Sequence, residues 1–290
     1  MRNGILALLI ATLASYSMAC DEHGLSGIVE DNDLHIPVGM KTLGGISQEE
    51  FNTVIDKISE VYAPIFTEKG AKLIVDRNWT DGTVNAYARQ VGKNWHVAMF
   101  GGLARHEAIT ADGFATVVCH EIGHHIGGAP KKRSFWSSSW ASNEGQADYF
   151  ATSKCLRKYM EKDDNISLMT NVVVPQEVQT NCSNIFTSAS EVAMCQRGAM
   201  AGLSLANLFK ALRNLEHDLK FDTPDTKVVT RTDDNHPAPQ CRLDTYFAGA
   251  ICSQLDSDDV DQRDEAVSVC YRDNGDSTGV RPLCWFAPKK

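Results

Sequence analysis

One nine-residue segment constrains this chain more than any other: residues 117–125, which read VVCHEIGHH. The segment contains the pattern His-Glu-x-x-His, formed by His120, Glu121 and His124. Each residue of an α-helix advances by about 100°, so two side chains four residues apart return to within about 40° of one face. We therefore expect a helix on which His120 and His124 bind one metal ion, with Glu121 beside it.

The flanking residues favour a helix at this position. Asp112 is a candidate N-cap before the segment, and Gly127-Gly128 is a typical C-terminal signal after it. His125 lies five residues after His120, so it points away from the metal-binding face and is not predicted as a ligand. The alternative is a fortuitous match inside a helix.

A catalytic zinc needs a third protein ligand and one open position. Glu144 begins a second predicted helix twenty residues after His124, the usual distance for a glutamate ligand on the next helix. Asp148 follows one turn later, where it can accept the free N–H of a ligand histidine. The longer three-histidine pattern fails because Pro130 stands where its last histidine is needed. We predict one zinc per chain, bound by His120, His124 and Glu144; the alternative is a solvated acidic helix start.

The N-terminus has the order of a secretory signal. Residues 1–19 combine an early positive charge, the apolar run GILALLIATLA and a small-x-small site. A buried N-terminal helix is the alternative. Cys20 at this junction resembles the lipidated cysteine of bacterial lipoproteins, so we expect a lipid anchor there, against export without one. The expected location is the periplasm or the outer membrane of a bacterium.

The number of cysteines is consistent with an exported protein that contains disulfides. The chain has nine, and a lipid on Cys20 leaves eight. We expect disulfides for most of those in the C-terminal half: Cys155, Cys182, Cys195, Cys241, Cys252, Cys270 and Cys284. Cys119 is the predicted exception, because a small buried thiol packs well inside the metal-binding helix. No Cys-x-x-Cys occurs, which excludes zinc-ribbon and thioredoxin-type sites.

Charge and hydropathy exclude further classes. The chain of 290 residues has 28 basic and 37 acidic side chains, a net charge of −9, and no run of lysine or arginine longer than the three residues 131–133. It lacks the basic surface that nucleic acids or anionic lipids require. No apolar stretch after residue 20 approaches the roughly 20 residues that cross a bilayer, so no transmembrane span is expected.

The remaining patterns predict an α+β domain. Ser47–Glu50 is a capping box ahead of a helical apolar period. Beyond about residue 110 the pattern is mostly helical. Short strands are predicted at Lys72–Val75, Val84–Arg89 and Trp95–Phe100. The predicted organisation is a signal (1–19), an N-terminal tether (20–45), one catalytic domain (46–255) and a Cys-containing tail (256–290).

Four motifs together resemble a known group of enzymes, the gluzincin peptidases. The family they resemble is that of HtpX, the CAAX prenyl proteases and BepA, and the resemblance spans roughly residues 84–243. The chain lacks that family's flanking membrane helices and repeat module, and it is rich in cysteine. The motifs are His120-Glu121-x-x-His124, Glu144-x-x-Ala147-Asp148, Asn85-Ala86-Tyr87, and His236-Pro237 with Arg242.

The resemblance implies a fold and several roles. It implies a zincin-like domain, with a small mixed sheet whose edge strand lies over the active-site helix and a mostly helical C-terminal half. Asn85 and Ala86 would hold the backbone of an extended substrate on the edge strand. His236 would donate to the oxyanion of the transition state; the alternative is an ordinary loop histidine. Glu121, which is not needed as a ligand, would be the general base.

We therefore expect a zinc endopeptidase acting on protein or peptide substrates of the cell envelope. One alternative is a non-catalytic assembly or chaperone-like protein with structural zinc, although structural sites are normally closed by four ligands. Another is a latent peptidase whose Cys-rich tail covers the cleft. Two interpretations of the segment 134–140 stay open. Its tryptophans, Trp136 and Trp140, either line the cleft or act as a lid, or they pack as ordinary hydrophobic side chains.

Overall fold

The computed structural model describes residues 17–18, 27–40, 43–133 and 138–288. Within these ranges the chain mixes helices with small sheets, which confirms the predicted α+β class. The predicted signal segment lies outside the described residues except for Ser17–Met18, and so does the lipidation candidate Cys20.

The main sheet contains the three predicted strands and a short N-terminal one. Its order is β1-β3-β4-β2, in which β2 and β4 run parallel and the other neighbours antiparallel. Only the two residues of β1 pair with the outer side of β3 within the described strands. The strands are β1 (Ser17–Met18), β2 (Lys72–Asn78), β3 (Ala86–Val91) and β4 (Asn94–Phe100).

Helices, one hairpin and a short 3-10 turn (Arg272–Asn274) form the other regular elements of the described residues. The hairpin consists of β5 (Lys131–Arg133) and β6 (Ser138–Ser142), which pair antiparallel. A π-helical turn, Ala151–Cys155, joins two of the helices. The helices are α1 (Gln48–Glu68), α2 (Gly101–Arg105), α3 (Ala111–Ile126), α4 (Glu144–Phe150), α5 (Leu156–Met160), α6 (Asn165–Met169), α7 (Gln176–Ile185), α8 (Ala189–Leu212) and α9 (Pro239–Ala250).

The predicted capping box begins α1. Ser47 Oγ accepts from the backbone N–H of Glu50, and Glu50 Oε2 accepts from the backbone N–H of Ser47. The apolar face of α1 then packs against α3, where the rings of Phe51 and Phe114 lie 4.9 Å apart. The core therefore surrounds α3 and fixes the helix that carries the His-Glu-x-x-His pattern.

Part of the segment predicted as a tether belongs to the core. Ile28, Val29 and Ile36 are buried, and the backbone N–H of Ile28 donates to the carbonyl of Ala86 at 2.9 Å. The sequence gives no periodic signal here because an irregular segment held by individual backbone contacts has none.

Four disulfides link the described cysteines, which confirms the expected pairing in the C-terminal half and fits an exported protein. The prediction that Cys119 stays unpaired is wrong. Cys119 is joined to Cys155 across α3 and the π-helical turn, a long-range neighbour that sequence spacing does not reveal. The other pairs are Cys182–Cys195, Cys241–Cys284 and Cys252–Cys270.

The C-terminal segment packs into the body of the protein. Trp285 is fully buried, and its indole N–H donates to Thr245 Oγ1 in α9 at 2.9 Å. The ring also covers Gly145, where an added Cβ would lie 2.2 Å from it. The tail thus supports the first turn of α4. None of the described helices has the length and hydrophobicity that a membrane span requires.

Candidate metal centre

Helix α3 presents the two histidines of the central motif. Thr110, rather than the predicted Asp112, is the N-cap, because its hydroxyl accepts from the backbone N–H of Gly113 at 3.0 Å. Later in α3, Gly123 faces α4, where an added Cβ would lie 3.1 Å from Ala147 Cα. The absence of a side chain at Gly123 therefore lets the two helices approach closely.

Helix α4 presents the predicted third ligand in its first turn. Asn143 is the N-cap, and its side chain accepts from the backbone N–H of Gln146 at 2.9 Å. Its amide also donates to the carbonyl of Asp233 at 3.1 Å. This contact ties the start of α4 to the loop that carries His236.

His120, His124 and Glu144 converge in a fully buried group. Glu144 Oε2 lies 3.3 Å from His120 Nε2 and 3.7 Å from His124 Nε2. One potential ligand atom from each residue lies within 4.8 Å of those from the other two. A tetrahedral zinc roughly 2.1 Å from each donor would place the donors roughly 3.4 Å apart. Two nitrogens and one carboxylate oxygen at these separations fit a zinc ion.

Hydrogen bonds on the far side of each imidazole fix the ligand rings. His120 Nδ1 lies 2.7 Å from Asp148 Oδ1, the partner that the sequence predicted. His124 Nδ1 lies 2.9 Å from the carbonyl of Ser142. An N–H on each Nδ1 would leave the lone pair of each Nε2 for a metal ion bound between the imidazoles and Glu144, which is the tautomer that a metal requires.

Asp148 is itself held by two groups of α9. Arg242 binds it through Nε and Nη2 at 2.8 Å each, and the Tyr246 hydroxyl donates to Oδ1 at 2.5 Å. Burial alone would raise the pKa of Asp148, but Arg242 and His120 lower it to about 2. The carboxylate therefore stays ionised beside the His120 ring.

The buried charges perturb the titration of the metal-binding group. Burial lowers the pKa of His124 to about 3. Burial would also lower the pKa of His120, but the Asp148 carboxylate outweighs it and raises that pKa to about 9. Burial opposes ionisation of Glu144, yet the cationic side chains around it hold its pKa well below the usual range. Glu144 is thus an anion at neutral pH.

Glu121 follows His120 directly on α3. Its side chain is fully buried, and neither carboxylate oxygen makes a hydrogen bond to any described residue. Burial raises the pKa of Glu121 to about 8. A buried carboxylate without partners is costly unless it binds a ligand or a proton, so these oxygens point to a chemical role.

His236 reaches the same group from the loop before α9. Its Nε2 lies 3.1 Å from Glu144 Oε2, and its side chain is 8% exposed. Sequence spacing could not place it there, since it lies more than a hundred residues beyond His124; only the resemblance did. Four predicted side chains, those of His120, His124, Glu144 and His236, are therefore brought together.

Comparison with protein-family models, curated proteins and solved structures finds no match.

The predicted substrate-binding pair, Asn85 and Ala86, contacts the N-terminal segment of the chain. The Asn85 amide donates to the carbonyl of Val29 at 3.3 Å and accepts from its N–H at 3.4 Å, and the Ala86 carbonyl accepts from Ile28. Val29 also lines a 60 Å³ cavity together with His236. Asn85 and Ala86 thus bind an extended peptide backbone, but that backbone is the protein's own segment at Ile28 and Val29.

Two further predictions concern rings near the centre. His125 points away from the ligands, as predicted: its Nε2 lies 3.0 Å from the carbonyl of His96. Trp140 stacks on His125 with ring centroids 4.8 Å apart, which favours packing over a lid for this residue. Trp136 lies outside the described residues.

Two residues of the centre were not predicted from the sequence. Lys132 Nζ lies 2.9 Å from Glu144 Oε1, and Tyr246 contacts Asp148. The four-residue spacing of Tyr246 from Arg242 on a helix was an available signal for Tyr246. Lys132 had none, because a single lysine before a Ser-rich stretch is ordinary surface composition.

Proposed function

We propose that the chain is a zinc-dependent endopeptidase of gluzincin type that hydrolyses peptide bonds in protein substrates of the bacterial cell envelope. One observation carries the proposal: three buried donor atoms lie at zinc-compatible separations, and Glu121, which interacts electrostatically with His120 and Glu144, makes no carboxylate hydrogen bond to any described residue. The three-ligand set leaves a position open, as catalytic sites do. The zincin-like fold and the HtpX-type family belong to the same proposal.

Zinc at this site would supply Lewis acidity towards a carbonyl and towards water. The protein supplies the remaining chemistry. Glu121 accepts the proton of the attacking water and later delivers it to the leaving amine. Burial raises the pKa of Glu121, and a cation bound between the histidines would lower it again and so favour the carboxylate form that accepts a proton.

Two further residues support the reaction. His236 would donate a hydrogen bond to the oxygen that becomes negatively charged in the transition state. Asp148, held by Arg242, keeps the His120 ring in the tautomer that leaves Nε2 free for the metal. The four disulfides fit the oxidising periplasm, where we place the protein, with or without a lipid on Cys20.

The decisive experiment combines metal content with proteolysis. The purified protein should contain about one zinc per chain and should digest casein, and a chelator should abolish the digestion until zinc is restored. Zinc-loaded protein without activity on any unfolded protein would overturn the proposal.

A latent form is the second candidate, and one contact favours it. Ile28 and Val29 occupy the backbone groups of Ala86 and Asn85, so an extended substrate could use those groups only after this segment moves. A latent enzyme would digest casein only after limited cleavage within residues 20–40. A non-catalytic assembly or chaperone-like protein would stay inactive after that cleavage as well.

A further inference from the structure

Lys132 contacts the ligand Glu144 in a specific way. Its Nζ lies 2.9 Å from Oε1, whereas Oε2 of the same carboxylate lies 3.1 to 3.7 Å from the Nε2 atoms of His236, His120 and His124. One oxygen therefore faces the imidazoles, and the other faces an ammonium group. A metal bound between the histidines would meet a carboxylate with only one oxygen available.

The hairpin directs Lys132 towards Glu144. Its two neighbours on β5 are anchored elsewhere: Lys131 donates to Gln262 Oε1 at 2.6 Å, and Arg133 donates to Asp234 Oδ2 at 2.7 Å. The Lys132 side chain is only 16% exposed. Its ammonium therefore interacts with Glu144 through a medium that screens charge less than bulk water does.

The charge of Lys132 is not required to balance the centre. Asp148 is already paired with Arg242. The two remaining acidic groups, Glu144 and Glu121 in its ionised form, would by themselves neutralise a divalent cation. The ammonium of Lys132 adds a positive charge that repels such a cation.

We propose that Lys132 is a positioning residue that keeps Glu144 a one-oxygen ligand, which lowers the affinity for the metal and raises the Lewis acidity of the bound ion. A carboxylate that shares its charge with an ammonium group donates less to a metal, and groups behind the ligands tune metals in this way. The catalytic part of this inference rests on the proposed function; the part about metal binding does not.

Substitutions on one strand test the idea with a matched control. Lys132→Met removes the charge and the donor, Lys132→Arg keeps both, and Lys131→Met makes the same change at the neighbouring position, away from Glu144. For each protein, zinc affinity is measured by competition with a chelator. Visible absorption of the cobalt-loaded protein reports the coordination number, and casein digestion reports kcat.

We expect Lys132→Met to bind zinc at least tenfold more tightly. Its cobalt form should absorb more weakly, because a second Glu144 oxygen raises the coordination number above four, and its kcat should fall at least tenfold. The Lys132→Arg and Lys131→Met proteins should stay within threefold of the parent in affinity and kcat. A purely structural role for Lys132 would leave the cobalt spectrum unchanged.

Parental or weaker zinc affinity in Lys132→Met, together with a parental cobalt spectrum, would overturn the inference, as would a parent that binds no metal. If Lys132→Met does not fold, Lys132→Gln replaces it: tighter zinc binding supports the inference, and parental binding refutes it. A parent that binds zinc but digests no protein defeats the proposed function alone, since affinity and spectrum still decide the role of Lys132.

Discussion

Cys119 and Cys155 are joined by a disulfide that connects α3, one residue before His120, to the turn that follows α4. The bond spans 36 residues and ties α3 to the π-helical turn that continues α4, the two helices that carry the candidate metal ligands. It therefore constrains the position of Glu144 relative to the histidines as well as the fold.

The first prediction concerns this disulfide. Replacing Cys119 and Cys155 with alanine should lower the free energy of unfolding by roughly 4 kcal/mol and weaken zinc binding. Urea unfolding and chelator competition measure the two effects. The control is the disulfide between Cys182 in α7 and Cys195 in α8, which lie 13 positions apart in the sequence. Its removal should cost roughly 3 kcal/mol at parental zinc affinity; equal zinc loss in both proteins would contradict the prediction.

The second prediction concerns Glu121. Glu121→Gln should lower kcat by roughly a hundredfold to ten-thousandfold, because the amide cannot accept the proton of the attacking water. Zinc content should stay near one per chain, since Glu121 is not among the three convergent ligands. Parallel metal analysis and casein digestion measure this. Parental turnover in the variant would show that Glu121 is not the base.

The third prediction concerns His236. His236→Ala should lower kcat and kcat/KM together by roughly a hundredfold or more, with little change in KM, because the hydrogen bond to the oxyanion forms only in the transition state. Zinc should remain bound. The exposed His217 supplies the control, and His217→Ala should behave as the parent. If His236→Ala loses its zinc, His236 is itself a ligand.

The fourth prediction concerns pH and Asp148. Folding lowers the pKa of this carboxyl from 3.8 to about 2, so its ionised form stabilises the protein above about pH 4. That contribution, roughly 2 kcal/mol, is lost as the pH falls towards 2. In urea unfolding of metal-free protein, the parent should lose more stability between pH 5 and pH 2.5 than Asp148→Asn does. Identical pH dependence in the two proteins would count against this role.

The fifth prediction concerns Asn85. Because its amide bonds the backbone of Val29 in both directions, Asn85→Ala should lower the free energy of unfolding by roughly 1–3 kcal/mol. KM for casein should stay unchanged, since the amide is already engaged by the chain. A raised KM at parental stability would instead support the substrate-binding role that the resemblance implies.

The residues placed correctly from the sequence are those governed by local helix geometry. His120 and His124 share a face because they are four residues apart, and Glu144 with Asp148 follows the same rule on α4. The capping box of α1 is likewise a local pattern of residues 47–50.

The features that were missed depend on contacts between distant parts of the chain. Cys119 meets Cys155, Asn85 meets Val29, and Lys132 reaches Glu144 through a hairpin held by Asp234 and Gln262. No spacing rule covers such pairs, because tertiary packing alone brings them together. Only the resemblance to the peptidase family predicted that His236 would lie near the metal-binding residues.

The backbone contact of Ile28 has a mechanical consequence. Its carbonyl accepts from Arg242 Nη1 at 2.6 Å, and the same guanidinium holds Asp148. Ile28 lies eight positions after Cys20, so the chain between them spans at most roughly 29 Å when fully extended. A lipid on Cys20 would therefore keep the candidate metal site close to the membrane surface. Tension on this connection would reach the backbone of Ile28, which is bonded to Ala86 as well as to Arg242.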